Sequence, residues 1–328
     1  MMARMVRWGM IGCGDVTEVK SGPALQKASG SSLVAVTSRS LDRARDYARR
    51  HGVPRVHENV EAMLADPGVD AIYIATPPVS HHRLALAAAA AGKGCLVEKP
   101  MAMSHAESIA MVAAFEKARQ PLWVAFYRRA LPRFLETRRL LRDGAIGQLT
   151  SIHIWGTAPL PTPQSPAGWR IDPAVAGAGL FFDLASHGFD LVDFLAGPVT
   201  SISGTSANTG GAYAAEDVTV ASFRAGEATL GTSVWNFNAS AKADGITLVG
   251  SRGTIRTSIF ADADLVLTTP AGTEMFQIRN PPHVHQPLVQ TIVDELAGTG
   301  LCESTGVSAT RTQAVLDACV RNYYQSHL

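Results

Sequence analysis

Short apolar runs alternate with helical patterns along the first 125 residues. The strand-like runs are Val6–Ile11, Leu33–Thr37, Asp70–Ala75, Cys95–Val97 and Leu122–Phe126. Between them, helical patterns cover Leu41–His51 and Ser80–Ala91, and Ser104 with Glu107 has the capping-box spacing of a further helix start. Continuous apolar strands separated by helices predict βαβ units on a parallel sheet covered on both faces.

The pattern changes after about residue 127. Helical patterns there cover Leu131–Asp143, Leu180–Leu195, His285–Leu296 and Ser308–Gln325, whereas Gln148–Gly156 is strand-like. Strand-like segments fill much of residues 202–278, and the proline-rich stretch Pro159–Gly168 is predicted as a loop. The sequence therefore predicts an α/β chain with two domains. Residues 1–125 form the parallel-sheet domain, and residues 126–328 form an α+β domain with a mostly antiparallel sheet.

Composition and charge narrow the class of protein. The 328 residues carry a formal net charge of +1, which argues against nucleic acid or an anionic membrane as the main partner. The longest apolar run, Leu84–Ala91, has eight residues, whereas a membrane span needs ~20. The N-terminus lacks a signal-peptide pattern, and the four cysteines are too scattered for a disulfide framework or a Cys-x-x-Cys metal site. We therefore expect a cytoplasmic protein.

A glycine-rich segment, Gly12-Cys13-Gly14-Asp15-Val16-Thr17, follows the first predicted strand and precedes a helical stretch. Gly12 permits a tight turn, and Gly14 lets the backbone approach a pyrophosphate at a helix N-terminus. The third position of this fingerprint is Thr17 instead of glycine, so the match is partial. An ordinary turn explains a lone Gly-x-Gly equally well, but the place of this one before further βα repeats favours a dinucleotide site.

The end of the second strand discriminates between the two nicotinamide dinucleotides. An NAD site usually places Asp or Glu there, where it binds the ribose 2′-hydroxyl. Here the segment reads Thr37-Ser38-Arg39-Ser40, and Arg43 follows one turn into the next helix. A hydroxyl and two guanidinium groups suit a 2′-phosphate, although a solvated helix start has the same composition. The charges favour NADP(H) over NAD(H).

Candidate acid–base groups occur in two further motifs. Glu98-Lys99-Pro100 ends a predicted parallel strand, where open α/β sheets bind ligands, and a lysine there can donate to a substrate oxygen. Asp183 and His187 lie four residues apart on one face of the apolar helix Leu180–Leu195, with Asp190 three residues further on. A carboxylate beside an imidazole suits a general acid/base, and a structural Asp–His pair in the core is the alternative. The preceding Ala176–Gly179 run permits close approach of the backbone to a ligand.

At these sites the sequence resembles the Gfo/Idh/MocA oxidoreductase family, which includes glucose-fructose oxidoreductase and inositol dehydrogenases. The matching motifs, in family order, are Gly12-Cys13-Gly14, Ile74-Ala75-Thr76-Pro77-Pro78 with His81, Glu98-Lys99-Pro100, and Gly177-x-Gly179-Leu180-x-x-Asp183-x-x-x-His187-x-x-Asp190. The resemblance runs the length of the chain and includes the turn at residues 248–254. It departs from the family at Ala178, within the usual glycine triplet, and at Thr17 in the phosphate loop.

The resemblance implies a Rossmann domain followed by a domain built on a large open sheet. It implies that Lys99 and His187 act at the reacting carbon, and that Asp183 orients or polarises the groups that react there. The residues that would line the cofactor channel are Thr76, Pro77, Pro78 and His81, with Glu98 and Lys99 near the nicotinamide ribose.

Four further positions follow from the same resemblance. Trp169-Arg170, together with Ser38 and Arg43, is most similar to the NADPH-dependent 1,5-anhydrofructose reductase branch, which implies that Arg170 contacts substrate or cofactor. Tyr127 or Arg128 would contact nicotinamide or substrate.

We expect an NADP(H)-dependent oxidoreductase that transfers a hydride between nicotinamide and a secondary alcohol or ketone of a sugar or polyol. No metal is expected, because the histidines at 81, 82, 283 and 285 form no ligand set with clustered carboxylates. A catalytically silent dinucleotide-binding sensor is one alternative. A reductase of a non-sugar carbonyl, such as a dihydrodiol, is another, since Trp155, Trp169 and Phe181 make the expected pocket apolar. The open sheet predicts a homodimer or homotetramer formed through the C-terminal domain.

Overall fold

The computed structural model describes residues 5–161 and 168–326, which divide into two compact units. The first comprises residues 5–102, 106–131 and 281–310, and the second comprises residues 103–105, 132–161, 168–280 and 311–326. Residues 126–328 were expected to form one domain, whereas residues 281–310 belong to the first unit. Most of the loop predicted at Pro159–Gly168 lies outside the described residues.

Fourteen strands and eleven α-helices occur within the described residues. Strands β1 to β14 are Val6–Ile11, Ser31–Thr37, Arg55–Val56, Ala71–Ile74, Gly94–Val97, Leu122–Val124, Leu149–Thr157, Val199–Ala207, Val218–Ala225, Thr229–Asn236, Ala243–Gly250, Gly253–Thr257, Leu265–Thr269 and Gly272–Phe276. Helices α1 to α11 are Asp15–Val19, Ser21–Lys27, Leu41–His51, Val60–Ala65, His81–Ala90, His105–Ala118, Pro132–Arg142, Pro173–Ala176, Ser186–Ala196, Gln286–Leu296 and Gly306–Ser326. None of these helices is long and apolar enough to cross a bilayer.

The first unit contains a six-stranded parallel sheet in the order β3-β2-β1-β4-β5-β6. This is the Rossmann order, in which the strand sequence reverses between β1 and β4 and ligands bind beyond the carboxyl ends. Every residue of β4 and β5 is buried, which explains their continuous apolar character. The predicted parallel-sheet domain is confirmed.

The second unit contains an eight-stranded sheet in the order β14-β13-β12-β11-β7-β10-β9-β8. Its pairings are antiparallel except β7 with β10, which confirms the mostly antiparallel prediction. Along β7 the burial alternates: Ile152 and Ile154 are buried, whereas His153 and Trp155 are exposed. Helix α9 covers the inner face, where a β-carbon at Gly188 would lie 3.1 Å from Ile154. Trp155 therefore lies on the opposite face from α9, which corrects its expected place among the apolar pocket residues.

The helix predicted at Leu180–Leu195 is divided in the structure. Residues Phe181–Ala185 form a π-helical turn, and α9 starts at Ser186. A π turn makes i→i+5 hydrogen bonds and often marks a functional site. Apolar periodicity cannot reveal it, because both halves of the segment are rich in buried apolar residues.

Candidate active site

The loop after β1 has the geometry of a phosphate-binding turn. Gly12 has a φ of +102°, and a β-carbon there would lie 2.8 Å from the Ala75 carbonyl oxygen, so glycine is required. Gly14 precedes α1, and a β-carbon there would meet no atom within 4 Å, so space remains beside its backbone. Asp15 starts α1 and is exposed, whereas Val16 is half-buried. These features fit a bound pyrophosphate. Burial raises the pKa of the neighbouring Cys13 thiol to about 11, so the thiol stays neutral.

Thr17, which replaces the third glycine, has a structural role. Its hydroxyl donates to the Gly14 carbonyl at 2.6 Å, and its own carbonyl accepts from the Tyr47 hydroxyl at 2.9 Å. Thr17 is buried, and these bonds tie the first turn of α1 to α3. The departure from the fingerprint thus stabilises the same loop.

His81 joins the loops that follow β4 and β5. Its Nδ1 lies 3.0 Å from the Pro100 carbonyl oxygen, and its Nε2 lies 2.7 Å from that of Thr76. His81 is completely buried, and this burial lowers its pKa to about 4. The structure places His81 between two backbone segments, with Thr76 half-buried beside it. Pro77 is exposed and Pro78 is buried.

Glu98, directly before Lys99, belongs to a buried polar cluster at the carboxyl end of β5. Tyr73 donates its hydroxyl hydrogen to Glu98 at 2.6 Å, and the Lys99 backbone N–H donates to the other carboxylate oxygen at 3.2 Å. His285 places Nδ1 3.8 Å from the Glu98 carboxylate. The His285 ring lies 4.4 Å from the ring of Tyr127.

Burial lowers the pKa of His285 to about 3, and the cations Lys20, Arg128 and Lys99 act in the same direction. The imidazole is therefore neutral. Arg128 is buried and lies 4.8 Å over the Tyr127 ring. The structure thus brings the predicted residues Tyr127 and Arg128 together with His285. Tyr73 and His285 could not be found from sequence, since Tyr73 lies inside a strand and His285 approaches Glu98 from a distant segment.

The arginines around α3 differ in their partners. Arg45, Arg49 and Arg50 form ion pairs with carboxylates of α1 or α3. Arg39 and Arg43 are exposed and have no ion pair within the described part of the chain. The Ser40 hydroxyl caps α3 by accepting from the Arg43 N–H at 3.4 Å, and the Ser38 hydroxyl accepts from the Ser40 N–H at 3.4 Å. Neither of these two guanidinium groups is therefore already paired with a carboxylate of the described residues.

In the second unit, Asp183 lies in the π-helical turn and pairs with Arg170. Arg170 Nε is 3.2 Å from the Asp183 carboxylate, and its guanidinium lies 4.4 Å over the ring of Trp169. The sequence motifs Trp169-Arg170 and Asp183 therefore converge on one cluster. Asp190, on α9, is buried.

His187, in the first turn of α9, is buried, and its ring lies edge-on to Phe260 at 5.9 Å. Phe260 belongs to a loop at residues 258–263 that is held from two sides. The Asp244 carboxylate accepts from the N–H groups of Ile259 at 2.6 Å and Phe260 at 3.0 Å. Arg133 donates to the carbonyl of Ala261 at 2.8 Å. The sequence analysis missed Phe260, because no local pattern connects this loop to α9.

The glycine run before the π turn faces protein groups in the structure. Gly177 has a φ of +89°, and a β-carbon there would lie 2.9 Å from the Met103 carbonyl oxygen. A β-carbon at Gly179 would lie 2.6 Å from the Glu216 carbonyl oxygen and 3.0 Å from its carboxylate. The close approach expected for a ligand is here made by Met103 and Glu216. Ala178 is buried, and nothing in the fold asks for glycine there.

No group of three His, Cys, Asp or Glu side chains with metal-binding geometry occurs among residues 5–161 and 168–326.

Two family models match the chain. Residues 6–126 match the one described as "Oxidoreductase family, NAD-binding Rossmann fold", and residues 134–256 match the "GFO/IDH/MocA C-terminal domain". The chain is 36% identical over 295 residues to "Oxidoreductase P35" of Formosa agariphila, which covers 89% of this chain and 91% of that protein. It is 31% identical over 191 residues to the 1,5-anhydro-D-fructose reductase of Ensifer adhaerens, covering 58% of this chain and 56% of that protein.

Solved structures share the fold. Levoglucosan dehydrogenase in complex with NADH and levoglucosan superposes with a TM-score of 0.87 at 22% identity, covering 98% of both chains. A structure described as a putative NADPH-dependent oxidoreductase from Desulfitobacterium hafniense has a TM-score of 0.89 at 20% identity, covering 99% of this chain and 97% of that one.

Proposed function

Because this chain belongs to the Gfo/Idh/MocA family of oxidoreductases, we propose that it transfers a hydride between NADP(H) and a secondary alcohol or ketone of a sugar or polyol. The nicotinamide donates or accepts that hydride when it is bound. The sugar substrate class is supported by relatives named 1,5-anhydro-D-fructose reductase, levoglucosan dehydrogenase and D-apiose dehydrogenase.

One observation carries this proposal: the loops after β1, β4 and β5 are locked together at the carboxyl edge of the Rossmann sheet. Gly12 packs against Ala75, and His81 links Thr76 to Pro100, directly after Lys99. A dinucleotide bound at this edge would be held at its pyrophosphate by the first loop. The second and third loops, with Glu98 and Lys99, would then hold its nicotinamide half.

The proton that accompanies the hydride needs its own carrier. In alcohol oxidation, His187 accepts the hydroxyl proton, and in carbonyl reduction it returns that proton to the oxygen. Lys99 donates a hydrogen bond to the same oxygen and stabilises the charge that develops there. Asp183, held by Arg170, orients the imidazole and the substrate, while Arg170 and Tyr127 contact the substrate.

Preference for NADP(H) is supported by the arginines before and in α3. A 2′-phosphate needs cations that are not already neutralised, and Arg39 and Arg43 meet that condition better than Arg45, Arg49 or Arg50.

Self-association is supported by the outer face of the second sheet. Trp155, Val234 and Val220 stand side by side on β7, β10 and β9, in direct cross-strand register, and all three are exposed. An apolar row of this kind suits burial against a second copy of the chain, as a homodimer or homotetramer.

The test is a screen for NADPH oxidation and NADP reduction over ketoses, aldoses, inositols, anhydro sugars and a trans-dihydrodiol. On the best substrate, Lys99→Ala and His187→Ala should each lower kcat by ~10²-fold or more, which is the usual scale for losing an acid–base group. His153→Ala, on the outer sheet face, and Lys117→Ala, exposed on α6, are the matched controls and should keep wild-type turnover. Near-wild-type kcat in both site variants would refute the assignment, and activity confined to the dihydrodiol would refute the sugar class.

A further inference from the structure

We propose that Glu216 is a positioning residue: its carboxylate holds the Gly179 peptide, which sets the π-helical turn that carries Asp183. This inference rests on the proposed function only through the role of Asp183, and the geometry on which it stands lies entirely within the second unit.

Glu216 is fully buried, yet it is a carboxylate. Both of its carboxylate oxygens accept from the Gly179 N–H, at 2.9 and 3.1 Å. Tyr324, near the end of α11, donates its hydroxyl hydrogen to the same carboxylate at 2.6 Å. A buried carboxylate costs free energy unless such donors surround it. The Gly179 N–H and the Tyr324 hydroxyl therefore compensate the burial of Glu216.

Gly179 transmits this contact to the site. Its carbonyl oxygen accepts from the N–H of Phe182 at 3.1 Å, which closes the first turn of the segment Phe181–Ala185. Asp183 follows directly. Glu216 thus fixes the N–H of Gly179, and the carbonyl of Gly179 starts the turn. A shift of the Gly179 backbone therefore moves Asp183 relative to Arg170.

The glycine itself supports the inference. A β-carbon at position 179 would lie 3.0 Å from the Glu216 carboxylate and 3.0 Å from the Ala215 side chain. The same β-carbon would lie 2.6 Å from the Glu216 carbonyl oxygen, so glycine serves here to admit both the backbone and the carboxylate of Glu216.

The charge state of Glu216 is finely balanced. Burial raises its pKa to about 7, while the hydrogen bonds from Tyr324 and Gly179 act in the opposite direction. The other titratable groups that act on it are Asp217, whose charge raises the pKa of Glu216, and Tyr213 and Tyr323, which interact with it electrostatically. Loss of the Tyr324 donor therefore raises the pKa of Glu216 further.

The experiment compares Tyr324→Phe with Tyr323→Phe. The two positions are adjacent on α11, but the Tyr323 hydroxyl donates to the Ala214 carbonyl at 2.9 Å. We expect Tyr324→Phe to lower kcat about tenfold at pH 7, because small displacements of reacting groups carry costs of this size or larger. KM should change little, and the acid limb of the kcat profile should move to higher pH. Glu216→Gln should remove the part of the acid limb that Glu216 contributes.

Hydrogen exchange of the segment Gly177–Phe182 supplies a readout that does not depend on activity. Exchange should be faster in Tyr324→Phe than in wild type and unchanged in Tyr323→Phe. If both tyrosine variants lose the same kcat with no change in the pH profile, the inference is wrong although the proposed function stands. If no variant, wild type included, reduces or oxidises any substrate, the proposed function fails, and the exchange data still decide whether Glu216 holds the turn.

Discussion

The residues of the candidate site belong either to local motifs or to contacts between distant segments of the chain. Lys99 and His187 are proposed because each lies in a motif whose spacing suits acid–base chemistry, and their roles stay predictions. Glu216 and Phe260 were missed because their contacts join segments far apart in the chain, which no local pattern encodes. Thr17 illustrates a third case: its departure from the fingerprint was visible, but its hydrogen bonds to Gly14 and Tyr47 were not.

Arg39 and Arg43 lead to a prediction about cofactor choice. Wild type should bind NADPH at least tenfold more tightly than NADH. Arg43→Gln should weaken NADPH binding by about tenfold, ~1.4 kcal/mol, and leave NADH binding unchanged, because only NADPH carries the 2′-phosphate. Fluorescence titration with both nucleotides measures this.

Arg45→Gln is the matched control, since Arg45 lies on the same helix but pairs with Asp42 at 3.6 Å. Equal affinity of wild type for the two nucleotides would contradict the assignment, as would an equal loss in both arginine variants.

At the scale of elements, strands and long helices were predictable and their irregularities were not. The strand Val6–Ile11 and the helix Leu41–His51 match their predicted bounds, because each combines one clear period with a turn at its end. The π-helical turn at Phe181–Ala185 was not predicted, since apolar residues precede and follow it and the apolar pattern shows no break there. Helices α1, α2 and α4 are short, and tertiary contacts determine such helices more than local pattern does.

Two histidines at helix starts give the protein a predictable response to acid. His81 starts α5 and His285 directly precedes α10, and burial lowers their pKa values to about 4 and about 3. Because these values lie below that of an unfolded histidine, the unfolded chain binds protons first as the pH falls. The contribution of the two neutral histidines to the free energy of unfolding is present above about pH 6.5. It is lost as the pH falls toward their pKa values in the folded protein.

We therefore expect His285→Gln to change the pH dependence of unfolding. Between pH 6 and pH 4.5, wild type should lose stability relative to this variant by about 1.4 kcal/mol per pH unit. Urea unfolding at each pH measures the difference, and the exposed His153→Gln should track wild type. Parallel curves for wild type and His285→Gln would show that His285 does not titrate differently in the two states.

For the whole molecule, the outer sheet face predicts how copies assemble. Val234 stands at the centre of the row that joins Trp155 and Val220, so Val234→Glu should convert the proposed oligomer to smaller species. Met275→Glu, at an exposed apolar position on the edge strand β14, is the control and should leave the assembly intact. Sedimentation equilibrium distinguishes the two, and a monomeric wild type would contradict the predicted interface.

The return of residues 281–310 to the first unit has a consequence for the order of folding. The Val124 N–H on β6 donates to the Ser304 carbonyl, and the Ser304 hydroxyl donates back to Val124 at 2.6 Å. On a ribosome that adds ~5–20 residues per second, β6 waits on the order of ten seconds or more for this partner. The second unit likewise waits for α11, where the Cys319 carbonyl accepts from Ser206 at 3.2 Å. Neither unit of the nascent chain can therefore complete its hydrogen bonds before residue 304, for the first unit, and residue 319, for the second unit, have been synthesised.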